Sequence, residues 1–195
     1  MEQTKTGSSN GRDLRIAFLT TGGSIDKTYS PHTSTFEIED SMIADILDDG
    51  EVRFTPHISS IFKKDSLEMT DADRHEIRKA VEKCGHERII ITHGTDTIVK
   101  TGQFLEGIPD KVIVLTGAFR PIRLRHTDAV LNLGMAIAAV QTLPCGVYVA
   151  INGTVSPVHG TKKDLKNQTF QFQPSHLNLN GKLPSVVQRR VSKAG

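Results

Sequence analysis

Two short segments of the chain, TTGGSID at residues 20–26 and THGTDT at 92–97, combine glycines with hydroxyl side chains directly after apolar runs. A serine or threonine hydroxyl can attack an acyl carbon if a neighbouring group removes its proton and donors hold the developing oxyanion. Glycine turns can supply these donors, because no Cβ shields their backbone N–H groups. The hydroxyl side chains of these two segments are therefore candidate nucleophiles, although a glycine pair taken alone is more typical of a plain turn.

The general base for such chemistry is less evident from the residues. No serine lies in a Gly-x-Ser-x-Gly elbow with a histidine partner. His93 is better explained as a strand-end histidine bonded to backbone than as a base. A lysine can serve if burial lowers its pKa, whereas a nearby carboxylate raises that pKa by favouring the charged form. Thr95 and Asp96 could also do no more than cap the helix that follows them.

The segments that must position these hydroxyls alternate between strand and helix patterns. Apolar β-rich runs predict five strands, three of them continuous enough for parallel strands buried on both faces: 14–20, 52–58, 88–93, 111–117 and 146–152. Capping and breaking residues predict four helices between them: Asp40–Leu47, Asp71–Lys83, 97–106 and 128–142. Thr70 is the predicted N-cap of the second helix, with Asp73 three residues later.

This alternation predicts an α/β fold: a doubly wound, mainly parallel open sheet of the flavodoxin/Rossmann type, with about five strands in one domain. In the common order 2-1-3-4-5, ligands bind where the order reverses, between the first and third strands. The loops after those strands are the two glycine segments. The loop after the second strand adds Asp65 and Ser66. The sequence therefore predicts that three polar loops meet at one crevice.

Composition excludes several classes of function. The 195 residues carry a formal net charge of +2, contain no Trp and are 5% aromatic, which argues against nucleic-acid binding. No apolar run reaches the length of a membrane span, and the histidines do not have zinc-ligand spacing. The two cysteines, Cys84 and Cys145, suggest no disulfide framework. Neither a P-loop nor a G-x-G-x-x-G motif is present, which disfavours a phosphate-binding module.

Taken together, the motifs resemble the bacterial-type L-asparaginases. TTGGSID and ITHGTDT are similar to that family's two signature loops, whose usual patterns are TGGTI and HGTDT. LTGAFRP at 115–121, DAVLNLGMAI at 128–137 and AINGTV at 150–155 then follow in the order of its amino-terminal domain. The resemblance covers about residues 15 to 172 and implies hydrolysis of L-asparagine to L-aspartate and ammonia through an acyl-enzyme, without metal or cofactor.

The resemblance also implies roles for individual residues. Ser24 stands at the position of the first-loop nucleophilic threonine, Thr95 matches the second catalytic threonine, and Lys163 and Asp96 complete a Thr–Lys–Asp group. Asp96 would also bind the substrate's α-ammonium. Tyr29 corresponds to the loop tyrosine that orients the nucleophile. The resemblance further implies that the substrate is bound by Gly23, Asp65, Ser66, Gly94, Thr95 and Asp96. Ser66 would bind the substrate's α-carboxylate.

Three departures from the family pattern leave other functions open. The nucleophile is Ser rather than Thr, Leu67 replaces a frequent glutamine, and the chain ends near where the family's smaller second domain begins. The alternatives are an amino-acid sensor without turnover, or an amidohydrolase for glutamine or another small amide. We expect a homodimer, because an isolated amino half would expose a docking surface.

The predicted domain organisation is a disordered polar tail at 1–13, the asparaginase-like domain at 14–175, and a tail or surface segment at 176–195. The first 13 residues lack the apolar core of a signal peptide, which predicts a cytoplasmic location. The expected partner is a small amino-acid substrate, with no nucleic acid and no membrane.

Overall fold

The fold is an α/β arrangement of strands and helices, seen in a computed structural model that describes residues 14–172. Within these residues the strands are β1 (Arg15–Thr20), β2 (Lys27–Ser30), β3 (Thr35–Ile38), β4 (Thr55–Ser60), β5 (Arg88–Thr92), β6 (Val112–Thr116), β7 (Gly146–Ile151), β8 (Thr154–Pro157), β9 (Thr161–Asp164) and β10 (Thr169–Phe172). The helices are α1 (Ile43–Asp49), α2 (Asp71–Lys83), α3 (Ile98–Phe104) and α4 (Ala129–Thr142).

The central sheet has six strands in the order β4-β1-β5-β6-β7-β8. The first five are parallel, and their order is the predicted 2-1-3-4-5; β8 adds an antiparallel edge that the sequence analysis did not foresee. Thr20, the last residue of β1, pairs with Ser60 at the end of β4 and with Thr92 at the end of β5. The loops after these three strands therefore leave the sheet side by side.

Burial of the central strands explains their continuous apolar sequences. In β5 the side chains alternate between two cores: Ile89 and Ile91 pack with residues of α2 and α3, while Ile90 packs with residues of α1 and α4. A strand covered by helices on both faces needs no polar positions. This packing fixes the strand ends from which the polar loops start.

The second helix agrees with its predicted bounds. Thr70 accepts a hydrogen bond from the Asp73 backbone N–H, and Asp73 accepts one from the Thr70 N–H, so the predicted cap forms a complete capping box. The first helix begins later than predicted, at Ile43 rather than Asp40. The Asp40 carboxylate instead pairs with the Lys63 ammonium at 2.7 Å, before the helix begins.

Other predicted bounds were wrong at the sheet edge. The second predicted strand, 52–58, is observed as Thr55–Ser60, because pairing with β1 starts at Arg15 and Thr55. This strand is exposed along its whole length, so its sequence lacks the apolar signal that marks the central strands. Pro56 suits such an edge position, where a missing N–H costs little.

Two hairpins outside the main sheet were also absent from the prediction. β2 pairs with β3, and β9 pairs with β10, both antiparallel. Their strands have four residues each and are largely polar at the surface, which gives little sequence periodicity. Both hairpins carry residues of the candidate site.

The fourth helix is buried on one side only. Leu133, Ala136 and Val140 are in the core, whereas Val130 and Leu131 are 54% and 61% exposed. No helix among residues 14–172 has both the length and the apolar character that crossing a membrane requires. The described cysteines, Cys84 and Cys145, are free thiols.

Candidate active site

The three polar loops predicted from the sequence meet at the carboxyl ends of β4, β1 and β5. Thr21 donates hydrogen bonds from its backbone N–H and its hydroxyl to the Thr92 carbonyl, at 3.2 and 2.8 Å. The Thr21 carbonyl accepts from the Lys64 N–H at 3.0 Å. The loop after β1 is therefore hydrogen-bonded to the end of β5 and to the loop after β4.

Glycines allow the loop backbones to approach one another. Gly23 has φ +87°, and a Cβ there would lie 2.5 Å from the Gly94 Cα. A Cβ on Gly94 would lie 2.5 Å from the Ser66 hydroxyl oxygen. Neither position has room for a side chain. A contact series therefore links three loops: it runs from Gly23 after β1, through Gly94 after β5, to Ser66 after β4.

A threonine, a lysine and an aspartate lie together beside this contact series. The Lys163 ammonium is 3.4 Å from the Thr95 hydroxyl and 3.9 Å from an Asp96 carboxylate oxygen. Thr95 is buried, and the Lys163 side chain is only 4% exposed, whereas the Asp96 side chain is 25% exposed. A ligand can therefore reach the carboxylate more easily than the amine.

Aromatic rings surround the Lys163 amine. Its Nζ lies 4.1 Å from the ring centre of Phe119 and 4.7 Å from that of Phe170, which stands opposite it in the β9–β10 hairpin. Burial lowers the pKa of Lys163 below its usual value, and the negative charge of Asp96 partly opposes this. Of the two opposing effects expected on the pKa of a lysine base, burial is therefore larger than the effect of the nearby carboxylate. A lowered pKa makes loss of the Lys163 proton easier.

The loop after β4 supplies a hydroxyl and a carboxylate to the crevice. Ser66 is buried, and its carbonyl accepts a hydrogen bond of 2.8 Å from the Thr97 hydroxyl. Asp65 accepts hydrogen bonds from the Lys27 ammonium at 2.7 Å and from the Leu67 N–H at 3.0 Å. Burial raises the pKa of Asp65, but these two bonds outweigh it and leave the pKa below its ordinary value. The carboxylate is therefore ionised near neutral pH.

His93 has a supporting role in the backbone of the site, as the sequence indicated. Its Nδ1–H donates to the Gly94 carbonyl at 2.8 Å, so its Nε2 accepts from the Thr101 hydroxyl, also at 2.8 Å. Complete burial lowers the pKa of His93 to about 4. With both ring nitrogens occupied in a neutral ring, this histidine positions Gly94 and is not free to act as a base.

Comparison with known proteins identifies the family of this arrangement. Residues 15–189 match the family model described as Asparaginase, N-terminal. The chain belongs to the asparaginase family.

Several relatives share this asparaginase domain, and the chain spans about half of their length. It is 29% identical to a probable periplasmic L-asparaginase of Haemophilus influenzae, over 94% of this chain and 55% of the relative. It superposes on the thermostable L-asparaginase of Thermococcus kodakarensis with a TM-score of 0.69 and 27% identity, over 82% and 51% of the two chains. It superposes on a probable cytoplasmic L-asparaginase of Campylobacter jejuni with a TM-score of 0.64 and 31% identity, over 77% of this chain and 48% of the other.

The asparaginase domain brings most of the predicted site residues together. Ser24 opens a short 3₁₀ turn, Ser24–Asp26, directly after Gly23, and is half-buried. Thr95 does not cap α3: the N-cap is Thr97. The structure thus brings Gly23, Gly94 and Ser66 into contact, and Thr95, Asp96 and Lys163 into a second group beside Gly94.

Tyr29 differs from these residues in its exposure. It is 54% exposed on the β2–β3 hairpin, where its ring packs edge-on against Phe36 at 5.8 Å. Its assignment as the tyrosine that orients the nucleophile remains a prediction.

Sequence reasoning missed three features of the site: the Lys27–Asp65 ion pair, the two rings around Lys163, and the buried carboxyl of Asp26. Asp26 is 3% exposed, and its carboxyl lies beside the Ser41 hydroxyl. Both line a cavity of about 180 Å³ under the first loop, together with Lys63. The sequence offered one signal, an aspartate two residues after Ser24.

Proposed function

We propose that this chain hydrolyses the side-chain amide of L-asparagine, giving L-aspartate and ammonia. The observation that carries the proposal is the buried Lys163 amine, 3.4 Å from the Thr95 hydroxyl and beside Asp96, at the rim where the glycine loops pack together. A hydroxyl next to an amine with a lowered pKa has a group to take its proton. Family membership supports the reaction class.

In the proposed mechanism the Ser24 hydroxyl passes its proton through Thr95 to the neutral Lys163 amine, attacks the amide carbon and forms a tetrahedral intermediate. N–H groups of the glycine loops stabilise its oxyanion, and the amide nitrogen leaves as ammonia after it receives a proton through Thr95 and Lys163. The product of this step is an ester between Ser24 and the β-carboxyl of aspartate. Water, deprotonated by the same Thr95–Lys163 pair, then attacks the ester and releases L-aspartate and the free serine.

The proposed binding mode uses the charges of the amino acid. Asp96, whose carboxylate is 25% exposed, receives the α-ammonium, and Ser66 donates to the α-carboxylate. Asp65 and the Gly23 and Gly94 backbones complete the pocket. The mechanism requires no metal and no cofactor.

Ammonia release from L-asparagine by purified Ser24→Ala and Thr95→Ala variants tests this proposal. We expect each variant to lose activity by roughly 10³-fold or more, because removal of one member of a catalytic group disables the group. Thr142→Ala is the control, since that exposed hydroxyl donates only to helix backbone. Wild-type activity in either site variant would remove that residue from the mechanism.

The same assay separates the alternative functions. An amino-acid sensor would release no ammonia and would show only a ligand-dependent rise in melting temperature. An amidohydrolase of different preference would act faster on L-glutamine or another small amide than on L-asparagine. Either result would replace the asparaginase assignment.

A homodimer and a cytoplasmic location are also parts of the proposal. The exposed Val130 and Leu131 side chains on α4 support self-association. The Campylobacter jejuni relative, whose name gives it as cytoplasmic, supports the location, whereas the Haemophilus influenzae relative is named as periplasmic. Fractionation of cells that express the tagged protein tests the location.

A further inference from the structure

The crevice has two ammonium groups and two carboxylates from the described part of the chain. Lys163 and Asp96 lie beside Thr95, and Lys27 and Asp65 lie at the end of the contact series formed by Gly23, Gly94 and Ser66. The two lysines differ in access: the Lys163 side chain is 4% exposed, and that of Lys27 is 26% exposed. Only Lys27 is therefore open to a charged group that arrives from solvent.

The Lys27 amine also retains capacity to bind a ligand. A lysine ammonium has three N–H donors. One of them is given to the Asp65 oxygen at 2.7 Å, which fixes the direction of the side chain. Asp65 in turn has its second oxygen held by the Leu67 N–H. The remaining two Lys27 donors are thus held in place on a side chain that is only partly exposed.

We propose that Lys27 is a specificity-determining residue that binds the α-carboxylate of the amino-acid substrate, next to Ser66. This inference rests on the proposed function and deepens it by assigning the second charge of the substrate. Charge complementarity supports this assignment: a zwitterionic amino acid presents one carboxylate and one ammonium. The crevice presents the Lys27 ammonium, which is 26% exposed like its partner Asp65, and the Asp96 carboxylate, which is 25% exposed.

The position of Lys27 in the chain supports this assignment. It begins β2 directly after the turn that starts with Ser24, and its partner Asp65 directly precedes Ser66. An α-carboxylate held by Lys27 and Ser66 would therefore connect the nucleophile loop to the clamp loop. A purely structural role for the ion pair is the competing explanation, but partly exposed ion pairs contribute little to stability.

Three amides of matched length distinguish the two explanations. L-Asparagine has both α-groups, succinamate lacks the α-amine, and 3-aminopropanamide lacks the α-carboxylate. We expect Lys27→Met to reduce kcat/KM roughly 10- to 100-fold for asparagine and succinamate, mainly through KM, as for loss of a charged hydrogen bond. The reduction for 3-aminopropanamide is expected to be much smaller. Lys27→Arg retains the charge and is expected to recover most of the loss.

Lys100→Met is the matched control, because Lys100 is also paired with an aspartate, Asp71 at 2.9 Å, but on the outer surface of α2 and α3. It is expected to leave all three rates unchanged. An equal loss on all three amides in Lys27→Met, or no loss on any of them, would overturn the assignment.

Calorimetric titration with L-aspartate separates this inference from the proposed function. If the wild type releases no ammonia but binds L-aspartate, and Lys27→Met weakens that binding tenfold or more while Lys100→Met does not, the hydrolase proposal fails and the role of Lys27 stands. If the wild type is active and Lys27→Met binds L-aspartate as tightly as the wild type, the role of Lys27 fails alone. A wild type that neither hydrolyses nor binds overturns both.

Discussion

At the scale of single residues, the chemistry of Lys163 is determined by side chains distant from it in sequence. Phe119 and Phe170 remove the amine from water and lower its pKa, while Asp96 limits the effect. The rings also face the cation, which moderates the cost of burying it. The result is an amine that can give up and recover a proton without leaving its position beside Thr95.

Asp26 gives a residue-scale prediction about pH. Burial raises the pKa of its carboxyl to about 6 from an ordinary value of 3.8, while the Ser41 hydroxyl and the positive charges of Arg123 and Lys63 oppose the rise. Below pH 3.8 the carboxyl is protonated in both the folded and unfolded states. Between pH 4 and 6 only the unfolded state ionises, so the free energy of unfolding falls as pH rises, by about 3 kcal/mol in total.

The Asp26→Asn variant tests this pH dependence. Relative to the wild type, its free energy of unfolding should increase by roughly 2–2.5 kcal/mol between pH 4 and 7, measured by urea denaturation at each pH. Asp45→Asn, at an exposed position of α1, should show no such relative change. Parallel curves for the wild type and Asp26→Asn would contradict the prediction.

Sequence alone could identify the residues that lie inside short motifs at strand ends. The glycine- and hydroxyl-bearing loops and Asp96 were evident because these loops follow strands whose apolar pattern is clear, whereas the choice of Ser24, Thr95 and Lys163 came from resemblance to the family. Lys27 and the rings around Lys163 were not predictable. Their roles depend on pairings across the sheet and across a hairpin, which no local pattern encodes.

At the scale of elements, the contact between the loop after β1 and the loop after β5 depends on Gly23. Its φ of +87° and ψ of −172° lie in a region accessible almost only to glycine, and a Cβ would overlap the Gly94 backbone. We predict that Gly23→Ala lowers the free energy of unfolding by roughly 2–4 kcal/mol and abolishes ammonia release. Thermal and urea denaturation together with the ammonia assay measure the two effects.

Gly107→Ala is the control for backbone strain alone. Gly107 has a similar φ of +82°, but a Cβ there would meet no atom within 4 Å. The Gly107→Ala substitution should lower the free energy of unfolding by only roughly 1–2 kcal/mol and leave ammonia release unchanged. Equal destabilisation by the two substitutions would show that contact between the loops is not what requires Gly23.

The elements that were predicted well are those with strong boundary signals. The Thr70–Asp73 capping box and the buried central strands gave bounds within one residue for α2, β1, β5, β6 and β7. The exposed edge strand β4 and the two hairpins of four-residue strands lack such signals, because most of their side chains are exposed or only partly buried. Tertiary pairing rather than local sequence defines them.

At the scale of the whole molecule, the exposed apolar residues of α4 predict self-association. Val130→Glu combined with Leu131→Glu should convert a dimer into a monomer, as measured by sedimentation equilibrium, because the two introduced charges would have to be buried. Lys79→Glu changes the net charge by the same amount at an exposed position of α2 and should remain dimeric. A wild type that sediments as a monomer would exclude the homodimer.

The location of Lys163 on the β9–β10 hairpin has a consequence for biosynthesis. All six strands of the central sheet are complete in the chain by Pro157, before the lysine is translated. A nascent chain emerging from the ribosome amino end first can therefore assemble the serine, threonine and glycine loops while it still lacks the amine. Under the proposed mechanism the growing polypeptide has no activity until the β9–β10 hairpin packs beside the crevice.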